Sequence, residues 1–376
     1  MDLDPLNPRR TGTRLLSDKG ITQAFQEGLL RLTPLLQEHQ LQPASLDFCI
    51  AHVQPDGPAN QRKWHLDRKP SQKDTGTLLA NHLHQVSLTQ LLESTNHYYL
   101  SWNVEARSSL RRLGVYIPRS GVYMQTPDGL PQIEVSNYSP NDIRFQKGER
   151  IVQFLFTVHP WSLDEQLDGE TVYGKKVRSL EMGIELNAAD IRSLHGREFT
   201  IEPRLVVNNN CITVHASATA YRFRRIGTIE FSKRNELQRE DILEPVDISN
   251  GYEIQPGEHL IVETRETFHL SNKIGIRFWD NLIPDVMGRH PNDFEERARQ
   301  FSENMDLVGI TDGWVDPGYQ GTFSRQPKWF TPGRTIYPGI RLGFGQVFYF
   351  PNGTQRSYGS NDLESQYQNQ EVTRLA

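Results

Sequence analysis

Glycine and proline interrupt this chain so often that few long helices can fit: 28 Gly and 22 Pro recur between short runs rich in β-branched and aromatic residues. Gly114 to Tyr123, Arg150 to Val158, Leu260 to Thr264 and Gln346 to Phe350 are such runs, each bounded by turn-forming residues. The pattern predicts a mainly β protein. Two helices are indicated: one over Lys19 to Leu30, with Ser17-Asp18 supplying the N-cap, and a charged one over Asn292 to Asn304. Both read as peripheral.

A length of 376 residues exceeds one small core and fits two domains. The sequence also reads as one unit written twice. Gly121 to Phe156 and Gly313 to Tyr349 carry comparable strand, turn and Gly positions in the same order. Laying Gly129 on Gly321 sets Glu134 on Gln326 without a gap. One or two single-residue shifts then bring Lys147-Gly148-Glu149-Arg150 onto Pro338-Gly339-Ile340-Arg341. Acidic and polar residues dilute the strand pattern between Pro160 and Glu202, so the domains are expected at 1–185 and 186–376.

The formal net charge of -5 gives no global attraction to nucleic acid, so bound phosphate requires a local Arg and Lys cluster. Cys49 and Cys211 stand in unrelated contexts and form no metal knuckle; the sequence leaves a disulfide between them open. A reducing cytoplasm is the simpler expectation. No run approaches ~18 apolar residues, and the beginning Met1-Asp2-Leu3-Asp4-Pro5 lacks a basic region followed by an apolar core. Neither a membrane span nor secretion is expected. His82 and His84 could ligate a metal from a strand, yet without nearby partners they read as surface residues.

Ala106-Arg107-Ser108-Ser109-Leu110-Arg111-Arg112-Leu113-Gly114 sets a polar turn ahead of an apolar, basic segment, which suits a phosphorylated ligand. Upstream lie Leu16-Ser17-Asp18 and Gln42-Pro43-Ala44-Ser45-Leu46-Asp47. Downstream lie Gly313-Trp314-Val315-Asp316-Pro317-Gly318-Tyr319-Gln320-Gly321 and Tyr337-Pro338-Gly339-Ile340-Arg341-Leu342-Gly343, then a tail with Tyr358 and Gln366-Tyr367-Gln368-Asn369-Gln370. In this order they resemble the signatures of the dCTP deaminase and trimeric dUTPase superfamily, in the double-length form of dCTP deaminase.

The resemblance implies two tandem dUTPase-like distorted β-barrel (β-clip) lobes with few peripheral helices. Family elements are divided between the halves. The first carries Arg-Ser-Ser and Glu134 but has Met124-Gln125-Thr126 where the family has Asp-Pro-Gly. The second carries Asp316-Pro317-Gly318, but Glu266-Thr267-Phe268 stands near the Arg-Ser-Ser place and Gln326 replaces the Glu. Family sites form between neighbouring chains, so a composite site and a homo-oligomer are expected, a trimer being favoured over a dimer.

Hydrolytic deamination of cytosine needs water activated for attack at C4, protons for the ring and leaving ammonia, and donors for the tetrahedral intermediate. Locally, Glu134 could be an outward-facing strand carboxylate; the resemblance makes it the proton shuttle. It likewise implies that Ser108 and Arg112 flank the pyrimidine and the water, while Arg107 and Ser109 face the phosphates. Asp316 would meet the deoxyribose 3′-hydroxyl, and Tyr358 and Gln370 would close over the triphosphate, although Gln366 replaces the family's Lys.

Mg²⁺ is expected through the nucleotide triphosphate. Zinc is not, because the His-x-Glu and Pro-Cys-x-x-Cys signature is missing. The expected reaction is zinc-independent conversion of dCTP to dUTP and ammonia, feeding dTTP precursors in the cytoplasm. The alternatives are a dUTP diphosphatase with Asp316 as base, a bifunctional enzyme, or a noncatalytic nucleotide scaffold. Expected partners are dCTP and dUTP, with dTTP as the family's inhibitor, and neither nucleic acid nor membrane.

Overall fold

The computed structural model describes residues 3–4, 12–34, 40–54, 76–80, 82–94, 100–117, 124–125, 131–158, 172–255, 258–279, 313–325 and 335–360. Strands dominate them, as the Gly and Pro spacing predicts. The helix expected over Asn292 to Asn304 lies outside the described residues. The chain divides into two compact units. The first comprises 6–181, 223–242 and 375–376; the second comprises 1–5, 182–222 and 243–374.

In the first unit, helix Asp18–Gln26 begins where the sequence indicates. Ser17 is extended and its hydroxyl accepts from the Gly20 N–H at 3.2 Å. The helix ends earlier than expected, and Leu30–Thr33 is already a strand. Strand Arg150–Val158 is buried along nearly its whole length, the signature of a strand covered on both faces. It pairs antiparallel with Ser45–Gln54, Leu100–Ala106 and Arg14–Leu16. Ser45–Gln54 continues past a bulge between Ile50 and His52 to pair with His82–Leu88, which pairs in turn with Pro131–Asn137. Phe48 and Phe154 pack across the first of these ladders, ring centroids 4.1 Å apart.

The second-half segment 223–242 is part of this first unit. Strand Thr228–Glu230 runs parallel to Asp142–Phe145, and Phe231 packs its ring 5.0 Å from that of Phe145. Asn141 fastens the segment. Its Nδ2 donates to the Arg224 carbonyl at 2.8 Å, and its Oδ1 accepts from the N–H groups of Ile226 at 2.7 Å and Gly227 at 3.2 Å. Asn137 and Ser139, fully buried like Asn141, bond its backbone carbonyl.

The second unit repeats the pairing scheme. Arg341–Tyr349 pairs with Cys211–Phe223, Ile274–Trp279 and Met182–Glu185, and Leu260–Leu270 lies between Cys211–Phe223 and Gln320–Arg325. The repetition extends to single hydrogen bonds. Ile50 donates to Glu149 O at 2.9 Å and accepts from Gly148 N at 3.0 Å; Ala216 donates to Ile340 O and accepts from Gly339 N, both at 2.9 Å. Gly148 and Gly339 turn with φ of 92° and 83°, where a side chain would strain the backbone.

The same register corrects one sequence expectation. Val152 faces Ala106, whose successor is Arg107, while Phe344 faces Trp279. The place of Arg-Ser-Ser in the second unit therefore follows Trp279, outside the described residues. Glu266 instead lies within Leu260–Leu270, where it is buried and bonded to His215 at 2.7 Å through Nδ1.

Two outcomes follow for stability. Replacing Asn141 by Ala leaves buried backbone groups of 224–227 without partners and is expected to cost about 2–4 kcal/mol. Urea unfolding of the full chain measures it, together with faster proteolysis inside 223–242. In the second unit, burial pushes the His259 imidazole down to about 4 from 6.5, against the opposing charge of Glu258. The unfolded chain thus binds more protons between these values, so stability falls as pH drops from about 6.5 to 4. Melting temperatures of the protein and of His259→Gln across that range check this: the variant should show the shallower decline.

Candidate active site

Strand Leu100–Ala106 delivers Arg107, which is extended (ψ 150°) and caps the one-turn helix Ser108–Arg111. Its backbone N–H donates to Ile151 O at 3.0 Å, tying the motif to the central strand. Gly114 closes the turn at φ 86°, where a Cβ would come within 2.8 Å of the Ser139 Cβ. Ser108 is exposed, whereas Ser109 and Arg112 are buried.

The motif meets the Gln42 to Asp47 signature through charge. Asp47 is fully buried, and its Oδ2 lies 3.2 Å from Arg107 Nε and 3.5 Å from Arg150 Nη1. Both guanidinium groups are about one-fifth exposed, with side-chain exposures of 21% and 20%. Asp47 thus meets two guanidinium groups, and a guanidinium gripped at one edge can still donate to a second anion. Sequence reasoning did not single out Asp47; its signal was its position at the end of a family motif. Nearby, Arg111 Nη2 lies 4.0 Å from Glu105 Oε2, which also accepts from Gln153 at 3.4 Å.

Asp47 also acts on Cys49. Burial first, then the Asp47 charge, push its thiol up to about 11, while Arg150 and Arg107 pull the other way. Cys49 and Cys211 are both buried, and neither is in a disulfide. Among the described residues no three His, Cys, Asp or Glu groups converge to hold a metal. His84 is corrected from a surface residue to a core one. Its strand lies between two others, and Nε2 accepts from Leu79 N–H at 2.9 Å. The side chain of His82 lies outside the described residues.

Glu134 is the one half-buried residue of strand Pro131–Asn137, whose other positions are all buried. It lies directly opposite Gln85. Along the other edge, Met124–Gln125 pairs with Pro131 and Gln132, and Val115–Tyr116 pairs with Ser136 and Asn137. Between these pairings no described strand lies against Ile133 to Val135. The Glu134 side chain makes no hydrogen bond or ion pair with Ser108, Arg112 or any other described residue. The structure therefore joins Arg107 to Asp47 but does not link Glu134 to the motif by a polar contact.

Asp316 and Tyr358 belong to the second unit and lie close together. Asp316 Oδ1 accepts from the Trp314 indole at 2.9 Å, Tyr358 N–H donates to Pro317 O at 2.8 Å, and the Tyr319 and Tyr358 rings are 5.6 Å apart. Gln326 and Gln370 lie outside the described residues.

Paired antiparallel ladders of this kind, one set per unit, define a protein of the dUTPase-like β-clip class. A dCTP deaminase-like family model matches residues 15–159, within the first unit. The dUMP-forming dCTP deaminase of Aquifex aeolicus is 30% identical over 148 residues, covering 38% of this chain and 80% of the relative. That of Methanobrevibacter smithii is 27% identical over 160 residues, covering 38% and 79%. The crystal structure of the 2′-deoxycytidine 5′-triphosphate deaminase from Agrobacterium tumefaciens matches in fold with a TM-score of 0.60 at 17% identity, over 93% of this chain and 99% of that one. The chain belongs to the dCTP deaminase family.

A thiol with a pKa near 11 is about one part in a thousand thiolate at pH 8, so Cys49 should resist iodoacetamide in the folded protein. Asp47→Asn removes the second cause of the shift and should speed alkylation of the Cys49 peptide, read by mass spectrometry. Equal rates in both proteins would contradict the electrostatic account.

Proposed function

We propose that this protein deaminates dCTP by hydrolysis without zinc, releasing ammonia and forming dUTP. The observation that carries the reading is the Asp47–Arg107 pair, which fixes the Arg-Ser-Ser turn of a dCTP deaminase family member. Arg107 and Ser109 face the phosphates, and Asp47 holds Arg107 in the orientation that receives them. Glu134 takes a proton from water as the oxygen attacks C4 and passes it to N3; it then moves the proton of the new C4 hydroxyl to the amine, which leaves as ammonia as the C4–N bond breaks and the C4 carbonyl forms. Ser108 and Arg112 donate to the water and to the tetrahedral intermediate. Asp316 orients the sugar, and Tyr358 and Gln370 close over the triphosphate.

Within one chain Glu134 has no polar contact with Ser108 or Arg112, which supports a site whose partners come from a neighbouring copy. A homo-oligomer, with a trimer favoured, fits that arrangement. Mg²⁺ carried by the nucleotide would neutralise phosphate charge beside Arg107 and Ser109.

A second reading is favoured by the relatives, which are named dUMP-forming dCTP deaminases. On that reading dUTP is cleaved further, to dUMP and pyrophosphate. Incubating the full chain with dCTP and Mg²⁺, without added zinc, and following ammonia, dUTP, dUMP and pyrophosphate separates the two. Ammonia with dUTP, lost in Glu134→Gln, is the expected outcome; dUMP with pyrophosphate establishes the second reading. Turnover of dUTP alone would overturn both and make Asp316 the residue to replace.

A further inference from the structure

Across the ladder from Glu134, the sheet sets a second polar side chain at the same level. Gln85 and Glu134 are directly opposite in the antiparallel pair of His82–Leu88 with Pro131–Asn137. Opposite residues project from the same face with Cβ atoms roughly 5 Å apart. Both are half-buried, and neither side chain makes a hydrogen bond with a described residue. Half-buried polar groups held on a rigid strand are ready for an incoming partner.

The neighbouring row is already satisfied. Two residues along each strand, on the same face, Gln132 Nε2 donates to Ser87 Oγ at 3.3 Å, and Ser87 Oγ lies 3.1 Å from His52 Nε2. Ser87 and Gln132 are buried, and the three residues are cross-strand neighbours on three adjacent strands. This row braces the sheet beside Gln85 and has no need of its amide. Among the described residues, no strand pairs with Ile133 to Val135 on the far edge of this strand.

We infer that Gln85 is a specificity-determining residue whose carboxamide N–H donates to the O2 carbonyl of a pyrimidine ring. The inference rests on the reading of Glu134 as the proton shuttle. A carboxylate working at N3 and C4 and an amide donating to O2 address adjacent positions of one ring, and their side chains start from adjacent positions of one sheet. Gln85 moves no proton; it fixes the ring against the carboxylate. Because O2 is present in both cytosine and uracil, this bond holds the ring before and after the reaction, a uniform contribution that appears in KM.

The test uses the full chain with dCTP and Mg²⁺, comparing Gln85→Leu, Gln85→Glu and Glu134→Gln, with inorganic triphosphate as a competitive inhibitor that carries no base. Gln85→Leu should raise KM for dCTP about tenfold with little change in kcat, the size expected for one lost hydrogen bond. Gln85→Glu, which sets a carboxylate against a carbonyl, should raise it further. Inhibition by triphosphate should stay as in the parent, a readout that general damage to the sheet would move. An unchanged KM in both Gln85 variants, with Glu134→Gln inactive, overturns the role of Gln85 and leaves the shuttle standing. Equal weakening of dCTP and triphosphate also overturns it, as a structural effect. Full turnover by Glu134→Gln removes the shuttle reading and this inference together.

Discussion

The buried Asp47 carboxylate is the point on which the first unit's architecture and its proposed chemistry both depend. A fully buried carboxylate is expensive unless its charge is met, and here two guanidinium groups approach it from different parts of the chain. Arg107 comes from the turn after one strand, and Arg150 from the start of the strand that pairs with Asp47's own. Their common anchor holds the Arg-Ser-Ser turn against the central strand. The same carboxylate adds to the burial that pushes the Cys49 thiol up.

The second unit shows what such a frame can keep while its chemistry changes. The hairpin at Gly339 repeats the bonds of the hairpin at Gly148, and Arg341 faces His215 as Arg150 faces Cys49. Backbone geometry is preserved, yet the buried carboxylate is supplied by Glu266 from another strand and is held by histidine in place of arginine. A ladder of backbone hydrogen bonds tolerates such exchange because its energy lies in the main chain, whereas a charge cluster must change as a set.

Much of this was legible in the sequence. The Gly and Pro spacing predicted the strands, Ser17 marked a helix start, and the gapless overlay of Gly129 on Gly321 agrees with the register in which Val86 faces Ile133 and Val262 faces Arg325. Local pattern could not predict which distant strand meets which. The Asp47–Arg107 pair joins residues sixty positions apart. The burial of His84 depends on its strand being flanked on both sides, and a period-two pattern looks the same on an edge strand as on an interior one. Residues 223–242 carry no sign in their composition that they belong with the first unit.

That last assignment has a consequence for how the protein is made. Chains emerge from the ribosome in order, and domains close as their last segment becomes available. The first unit cannot complete the parallel pairing of Asp142–Phe145 until Thr228–Glu230 has been synthesised, by which time 182–222 of the second unit is already exposed. The first unit can therefore close only after the first strands of the second are already out. The wait for residue 242 brings strands of both units out together, and correct sorting between two ladders of the same scheme falls to the side chains that distinguish them.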